Sequence, residues 1–404
     1  MFMTFKAVLT AAALSVALAG AAQADPISVK LGVLNDMSSL YADISGPGSV
    51  VAANLAVEDF AKTNKDIKAE VIGADHQNKP DVGVNIARQW YDRENVDVIL
   101  DTTTSSVALA VSELTKEKKK IFIPSGGGTS DLTGKACSPY TVHWTYDTWA
   151  LANGTGSALT KKGADTWFLL VADYAFGAAL ERDTSEAVTK AGGKVVGSVK
   201  HPLNSSDFSS FLLRAQASKA KVIALANAGS DTINAIKQAS EFGITQGGQA
   251  LAGLLIFSSD VKALGLKAAQ GLVLTEAFYW DQTDATRAFS KRFAEKFNGK
   301  MPTSAQAGVY SSVLHYLKAV AAAKSKDSDK VMAKMKEMPI DDALFGKGEI
   351  RADGRAIHDM YLYEVKKPEE SKSEWDIYKV LATIPANEAF RPMDQGGCPL
   401  VAKK

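Results

Sequence analysis

Thr166-Trp167-Phe168-Leu169-Leu170-Val171 is an uninterrupted apolar run of strand length. Such a run predicts a strand buried on both faces. Its position decides the fold, because a pattern already completed once begins again here. Upstream, Ile27, Val29, Leu31 and Val33 alternate and predict a first strand. Residues 50–60 place Val51, Leu55 and Phe60 on one side of a helix. Ile67-Lys68-Ala69-Glu70-Val71-Ile72 predicts a second strand. Pro80 suits the first turn of the next helix, with Val84, Ala87 and Trp90 turned inward. Val96-Asp97-Val98-Ile99-Leu100 predicts a third strand, residues 107–114 a helix, and Ile121-Phe122-Ile123 a fourth strand.

Downstream the order repeats. Residues 150–159 and 178–191 have helical spacing on either side of the Thr166 strand. Strands at 194–199 and 222–226 enclose a helix near 208–217. A helix at 233–242 then leads to strands near 251–257 and 272–278. Strict alternation of strands and helices predicts a parallel, doubly wound sheet. Two successive sets predict two such α/β lobes. The two sets share architecture but no repeated sequence.

The last third differs. Residues 305–323 and 330–338 predict helices, and 358–365 with 375–380 a hairpin around the polar stretch 366–374. No Pro/Gly/Ser-rich linker occurs, so short crossings near 144–147, 279–281 and 345–349 are expected to form the hinge. The first lobe is expected to comprise residues 25–145 plus 280–345. The second is expected to comprise 146–279 plus 346–404, with the hairpin packed on it.

The N-terminus carries one charge, Lys6, then an apolar stretch from Ala7 to Ala19, then Ala22-Gln23-Ala24 before Asp25. That is the pattern of a secretory signal peptide over residues 1–24, cleaved after Ala24. It is too short and Ala-rich for a membrane anchor, and no Cys follows the cleavage point to carry a lipid. A mature chain outside the cytoplasm argues against ATP- or NAD-dependent chemistry. The chain has 46 Lys and Arg against 45 Asp and Glu; removing Lys6 leaves 45 of each. Such neutrality favours neither nucleic acid nor an anionic membrane surface. The two cysteines, Cys137 and Cys398, are expected to form a disulfide in an oxidising compartment; two buried free thiols are the alternative.

Reactive constellations are missing. His76, His143, His201, His315 and His358 show no metal-ligand spacing. No G-x-x-x-x-G-K-[ST], H-E-x-x-H or G-x-S-x-G occurs. Gly126-Gly127-Gly128-Thr129 follows a strand but lacks the phosphate-binding Lys. Asp75, Asp173 and Asp231 show no paired spacing. No catalytic role, metal or cofactor is expected.

At the ends of the strands the residues suit binding. Asp101-Thr102-Thr103-Thr104-Ser105-Ser106 follows a strand and opens a helix. The Thr104 and Ser105 hydroxyls and the helix amides suit a carboxylate, and plain N-capping is the simpler role. Gly126, Gly127 and Gly128 would let backbone amides approach a ligand closely. Aromatic residues cluster at strand ends: Tyr41, Tyr174, Phe176, Phe257, Phe278, Tyr279 and Trp280. Trp144, Tyr146 and Trp149 mark the lobe crossing.

Val29-Lys30-Leu31-Gly32-Val33-Leu34, IFIPSGGGTSDLT over 121–133, FLLVADYAFG over 168–177 and Tyr361-Leu362-Tyr363 occur in that order. Together they resemble the branched-chain amino acid family of type I periplasmic solute-binding proteins of ABC transporters, over nearly the whole mature chain. The resemblance implies a periplasmic, monomeric receptor that closes two lobes on a small ligand and presents it to permease subunits. A sensory receptor is the alternative use of the same fold. This chain departs from the family at two points. Gly128 stands where amino-acid-binding members carry a Thr, and Ile256-Phe257-Ser258-Ser259 lacks their ammonium-binding Glu. A buried ammonium without a partner is costly by several kcal/mol, so a carboxylate with an apolar, aromatic body is expected ahead of a branched-chain amino acid. Asp231 could substitute for that Glu or simply cap its helix. With Gln77, the expected ligand set is Tyr41, Gln77, Thr104, Ser105, Gly126, Gly127, Gly128, Tyr174, Phe176, Asp231, Phe257 and Phe278.

Overall fold

Strand β1 (Ile27–Asn35) carries Val29, Leu31, Val33 and Leu34 in full burial. It lies inside a parallel sheet with β2 (Ile67–Asp75), β3 (Val98–Leu100) and β4 (Ile121–Ile123), in the order β2-β1-β3-β4. The computed structural model describes residues 25–401, and the expected signal peptide lies outside them. Gly32 brings a helix close to β1: a Cβ there would sit 2.5 Å from the Trp90 ring of the helix Pro80–Asp92.

The second parallel sheet repeats the plan with β5 (Thr166–Ala172), β6 (Lys194–His201), β7 (Val222–Ala226) and β8 (Ala250–Gly253), in the order β6-β5-β7-β8. The run from Trp167 to Ala172 is buried throughout, as its composition predicts. Strand β9 (Val273–Glu276) does not extend this parallel series by direct pairing.

Two antiparallel units complete the fold. Strands β10 (Ile340–Asp342), β11 (Gly346–Ile350) and β12 (Ala356–Ile357) form a small sheet, so the crossing expected at 345–349 is a paired strand rather than a free connection. Strands β13 (Met360–Val365) and β14 (Tyr378–Ile384) form the expected hairpin, and β13 also pairs with β9.

The helix Ser304–Ala323 lies along the helix Gly46–Thr63 of the first sheet. Arg292 and Tyr310 both donate to Asp59, Thr303 to Ile44 O and Gln306 to Ser45 O, so the late helices are tied to the first sheet. The helix expected over 150–159 is interrupted by a wide π turn at Ala152–Gly156. Cys137 and Cys398 are disulfide-bonded, with Cα atoms 5.6 Å apart.

Candidate ligand site

The first-lobe wall is built at the carboxyl ends of β1, β3 and β4, where an open parallel sheet presents its ligands. Asn35 Nδ2 donates to Asp101 Oδ2 at 2.7 Å, and Ser49 Oγ donates to the same oxygen at 2.5 Å. Asp101 Oδ1 accepts from Gly126 N at 2.8 Å. Asp101 and Thr102 have φ of +71° and +67°, a left-handed turn that non-glycine residues seldom adopt. This turn aims the Asp101 carboxylate at the glycine loop. Burial raises the Asp101 pKa to about 6 against the opposing effect of its donors.

Thr104 and Ser105 are buried in the same wall. The Thr104 hydroxyl bonds to Asn78 Oδ1 and does not cap the helix Ser105–Lys118. Ser105 Oγ accepts from Thr129 N at 3.1 Å. Both hydroxyls therefore hold neighbouring loops. Ser45 and Ser125 are fully buried, and neither hydroxyl has a partner of hydrogen-bonding geometry among the described residues. Ser45 Oγ faces the glycine loop, 2.9 Å from where a Cβ on Gly126 would lie.

The second-lobe wall starts where β5 ends. Tyr174 precedes the helix Ala175–Lys190, and its Oη lies 2.7 Å from Tyr41 Oη of the first lobe. Phe176 stands 6.1 Å from Tyr174, centroid to centroid. A Cβ on Gly128 would lie 2.9 Å from Phe176 Cε2 and 3.0 Å from Tyr146 Cε2. Tyr146 donates to Gly126 O at 2.7 Å and meets Phe257 edge to face at 5.8 Å. The backbone of Gly229, at φ +59°, comes up beneath Leu40 O, where a Cβ would approach to 2.6 Å. The structure thus brings together Tyr41, Gly126, Gly128, Tyr174, Phe176 and Phe257, with the two lobes in contact.

Two expected residues are placed elsewhere, and a third, Asp231, lies near enough to Tyr41 and Tyr174 to oppose their ionisation but is already hydrogen-bonded to a loop. Phe278 packs against Phe289 and Phe345 in the core, because its ring points away from the cluster. Gln77 is exposed in a left-handed turn, its backbone N–H donating to Asp75 Oδ1. Asp231 accepts from Asn204 N at 3.1 Å and Ser205 N at 2.8 Å, so its carboxylate pins that loop and does not cap its own helix. Burial raises the Asp231 pKa to about 6.

Sequence reasoning passed over four groups here. Tyr146 was visible only as part of an aromatic cluster at the crossing. Asp101 and Asn35 were hidden because a strand-end polar residue looks like an ordinary cap. The fourth group is a pair of buried acids, Asp260 and Glu276. Asp260, one residue beyond the segment that lacks a Glu, accepts from Phe257 N at 2.9 Å. Glu276 accepts from Tyr378 Oη at 3.0 Å. Burial raises them to about 7 and about 8, respectively, and neither has a basic partner within ion-pair distance among the described residues.

A cavity of about 410 Å³ is lined by Asp43, Lys300, Lys262, Trp375 and Gln306, and by none of the clustered rings. Gln306 on its wall donates to Ser45 O at 2.9 Å, joining the cavity to the glycine-loop side. Among the described residues, no group of three or more His, Cys, Asp or Glu is placed to hold a metal ion.

Comparison with known proteins yields consistent matches. A family described as "Periplasmic binding protein" matches residues 28–372. The crystal structure of a periplasmic binding protein from Burkholderia mallei shares 55% identity and a TM-score of 0.90, covering 92% of this chain and 99% of that one. A branched chain amino acid ABC transporter periplasmic ligand-binding protein from Burkholderia xenovorans LB400 shares 43% identity and a TM-score of 0.83, with coverage of 92% and 99%. Leu/Ile/Val-binding protein homolog 6 of Brucella melitensis is 27% identical over 378 residues, 90% of this chain and 94% of that protein.

Proposed function

The chain belongs to the periplasmic binding protein family, the non-catalytic solute receptors of ABC transporters, and from that premise we propose that it captures a small carboxylate with an aromatic or other apolar body. The observation that carries this reading is a chain of five rings built on the Gly126–Gly128 loop: Tyr146 and Phe176 lie against the loop, Phe257 meets Tyr146, and Tyr174 joins Phe176 to Tyr41. Aromatic rings bury a large area in a fixed shape and suit a planar apolar solute. The unpartnered hydroxyls of Ser45 and Ser125 supply buried donors beside the loop. Asp101 already has three donors, from Asn35, Ser49 and Gly126, which offset its repulsion of a second carboxylate. Thr104 and Ser105 act by holding the loops that present these groups.

In this reading the first lobe is built on the sheet β2-β1-β3-β4 and the second on the sheet β6-β5-β7-β8, with the third crossing after β12 and not at the expected residue 345, because β10, β11 and β12 pair as one sheet. Signal-peptide cleavage after Ala24 delivers the chain to the periplasm. Ligand capture brings the walls together, with the Tyr41–Tyr174 contact closing over the solute. The closed monomer then docks on its permease.

A hydrophobic amino acid is the second reading. Asp260 and Glu276 favour it, because both lie in the electrostatic environment of Tyr146 and neither has a cationic partner. Calorimetry with benzoate, phenylacetate, leucine and phenylalanine separates the two. The first reading expects the carboxylates to bind at least tenfold tighter, about 1.4 kcal/mol. Micromolar leucine binding with no response to benzoate or phenylacetate would install the second reading. Binding of none of the four would remove both ligand classes.

A further inference from the structure

We infer that Phe176, seated on Gly128, is a specificity-determining residue that limits the bulk of the solute on which the lobes can close. The inference rests on the solute-binding reading above and adds the residue pair that sets its size limit. Gly128 is not among the glycines with positive φ. Its backbone is open to any residue, so room rather than conformation makes it glycine. That room is taken by two rings, since an added Cβ would meet Phe176 at 2.9 Å and Tyr146 at 3.0 Å. The approach to Phe176 is closer than real Cβ atoms come, and the approach to Tyr146 is at the tight limit.

The two rings differ in what holds them. Tyr146 is bonded to Gly126 O, and Gly128 O accepts from Thr148 N at 2.8 Å. The glycine loop and the crossing segment therefore form one piece. Phe176 comes from the opposite wall, as the second residue of the helix Ala175–Lys190. Gly177 lets that helix begin close against the end of β5, since a Cβ there would lie 1.9 Å from Ala172 O. Phe176 is 2% exposed, so the contact with the glycine loop is complete and dry. Seating Phe176 is thus part of bringing the walls together. A solute group that projects toward Gly128 must displace the ring and hold the lobes apart. The site should accept a single ring or a short chain and reject a fused bicycle.

Two measurements on the mature full chain test this. In the first, Gly128→Cys with Phe176→Cys is treated with a short bis-maleimide and mapped by peptide mass spectrometry. Cross-linking between positions 128 and 176 is expected, and its absence in a folded variant overturns the seating. In the second, calorimetry compares benzoate with 2-naphthoate and leucine with phenylalanine. Phe176→Ala should raise the large-to-small affinity ratio at least tenfold for whichever pair the wild type binds. Gly128→Ala should weaken the smaller probe at least tenfold, and adding Phe176→Ala should restore most of that loss. Unchanged ratios, or additive losses in the double variant, overturn the inference. If the wild type binds none of the four probes, the proposed ligand class fails, while cross-linking still decides whether Phe176 meets Gly128.

Discussion

Glu276 is 3% exposed, at the end of β9, and its carboxyl group accepts from Tyr378 and faces Ser304. Removal from water outweighs those contacts and lifts its pKa to about 8, with Asp260 at about 7 by the same cause. The folded protein therefore holds protons that the unfolded chain releases near pH 4 to 5. The stability these acids contribute is full below the unfolded pKa and is lost as pH rises through the folded values. Between about pH 5 and 8 each such group can steepen the loss by up to about 1.4 kcal/mol per pH unit. Glu276→Gln keeps the shape and removes one titration. Thermal unfolding at pH 6 and pH 9 should show a clearly smaller drop for Glu276→Gln than for the wild type. Equal drops would mean that Glu276 does not hold its proton in the fold.

At the scale of elements, the start of the helix Ala175–Lys190 controls both packing and site. Gly177→Ala places a methyl where Ala172 O already stands, and backbone cannot rotate aside as a side chain can. Overpacking of this kind costs typically about 1–3 kcal/mol, and here the strain falls on the segment carrying Tyr174 and Phe176. Denaturant unfolding should show that loss together with weakened ligand binding; a stable variant with normal binding would remove Gly177 from the argument. Most elements that frame this segment were legible in the sequence. β1 shows alternation, and β5 shows the apolar run of a strand buried on both faces. The antiparallel pairing of β9 with β13 was not legible, because β9 looks like one more buried strand in an alternating series. β11, Gly346-Lys347-Gly348-Glu349-Ile350, has too few apolar residues to reveal a strand. The π turn at Ala152–Gly156 has no signature beyond small polar residues. The site was legible as loops rather than as directions. Strand ends located Tyr41, Tyr174, Phe176 and Phe257, but Phe278, two residues beyond the end of β9, packs into the core against Phe289 and Phe345. Asp101 and Ser45 became visible only through partners distant in sequence.

Across the whole molecule, the C-terminal tail is a further connection between the lobes. After β14 it runs past Arg355, whose guanidinium lies 4.1 Å from the Phe390 ring centroid and donates to Trp144 O and Tyr146 O at 3.1 Å. Arg391 then reaches the fully buried Asp183 at 2.5 Å. Asp183 also accepts from Ser130 Oγ at 2.7 Å and Thr148 Oγ1 at 2.6 Å, so tail, crossing and both lobes meet at one carboxylate. Arg182 adds bonds to Asp131 and Ser130 across the same seam. Farther along the tail, Cys398 is bonded to Cys137 across 261 residues of sequence. The polar contacts alone can exchange with water, whereas the disulfide cannot, so the covalent bond sets how far the tail can lift. Closing so long a loop stabilises the fold by about 3–5 kcal/mol, mainly by restricting the unfolded chain. Cys398→Ser should therefore lower unfolding stability by that order. In ligand-free protein it should also enlarge the radius of gyration measured by small-angle scattering, because the strap over the crossing is released. Cys137→Ser should reproduce both effects, since either substitution breaks the same bond. Loss of stability with an unchanged scattering profile would show that the disulfide acts on the unfolded chain alone and that Asp183 and Arg355 suffice to hold the seam.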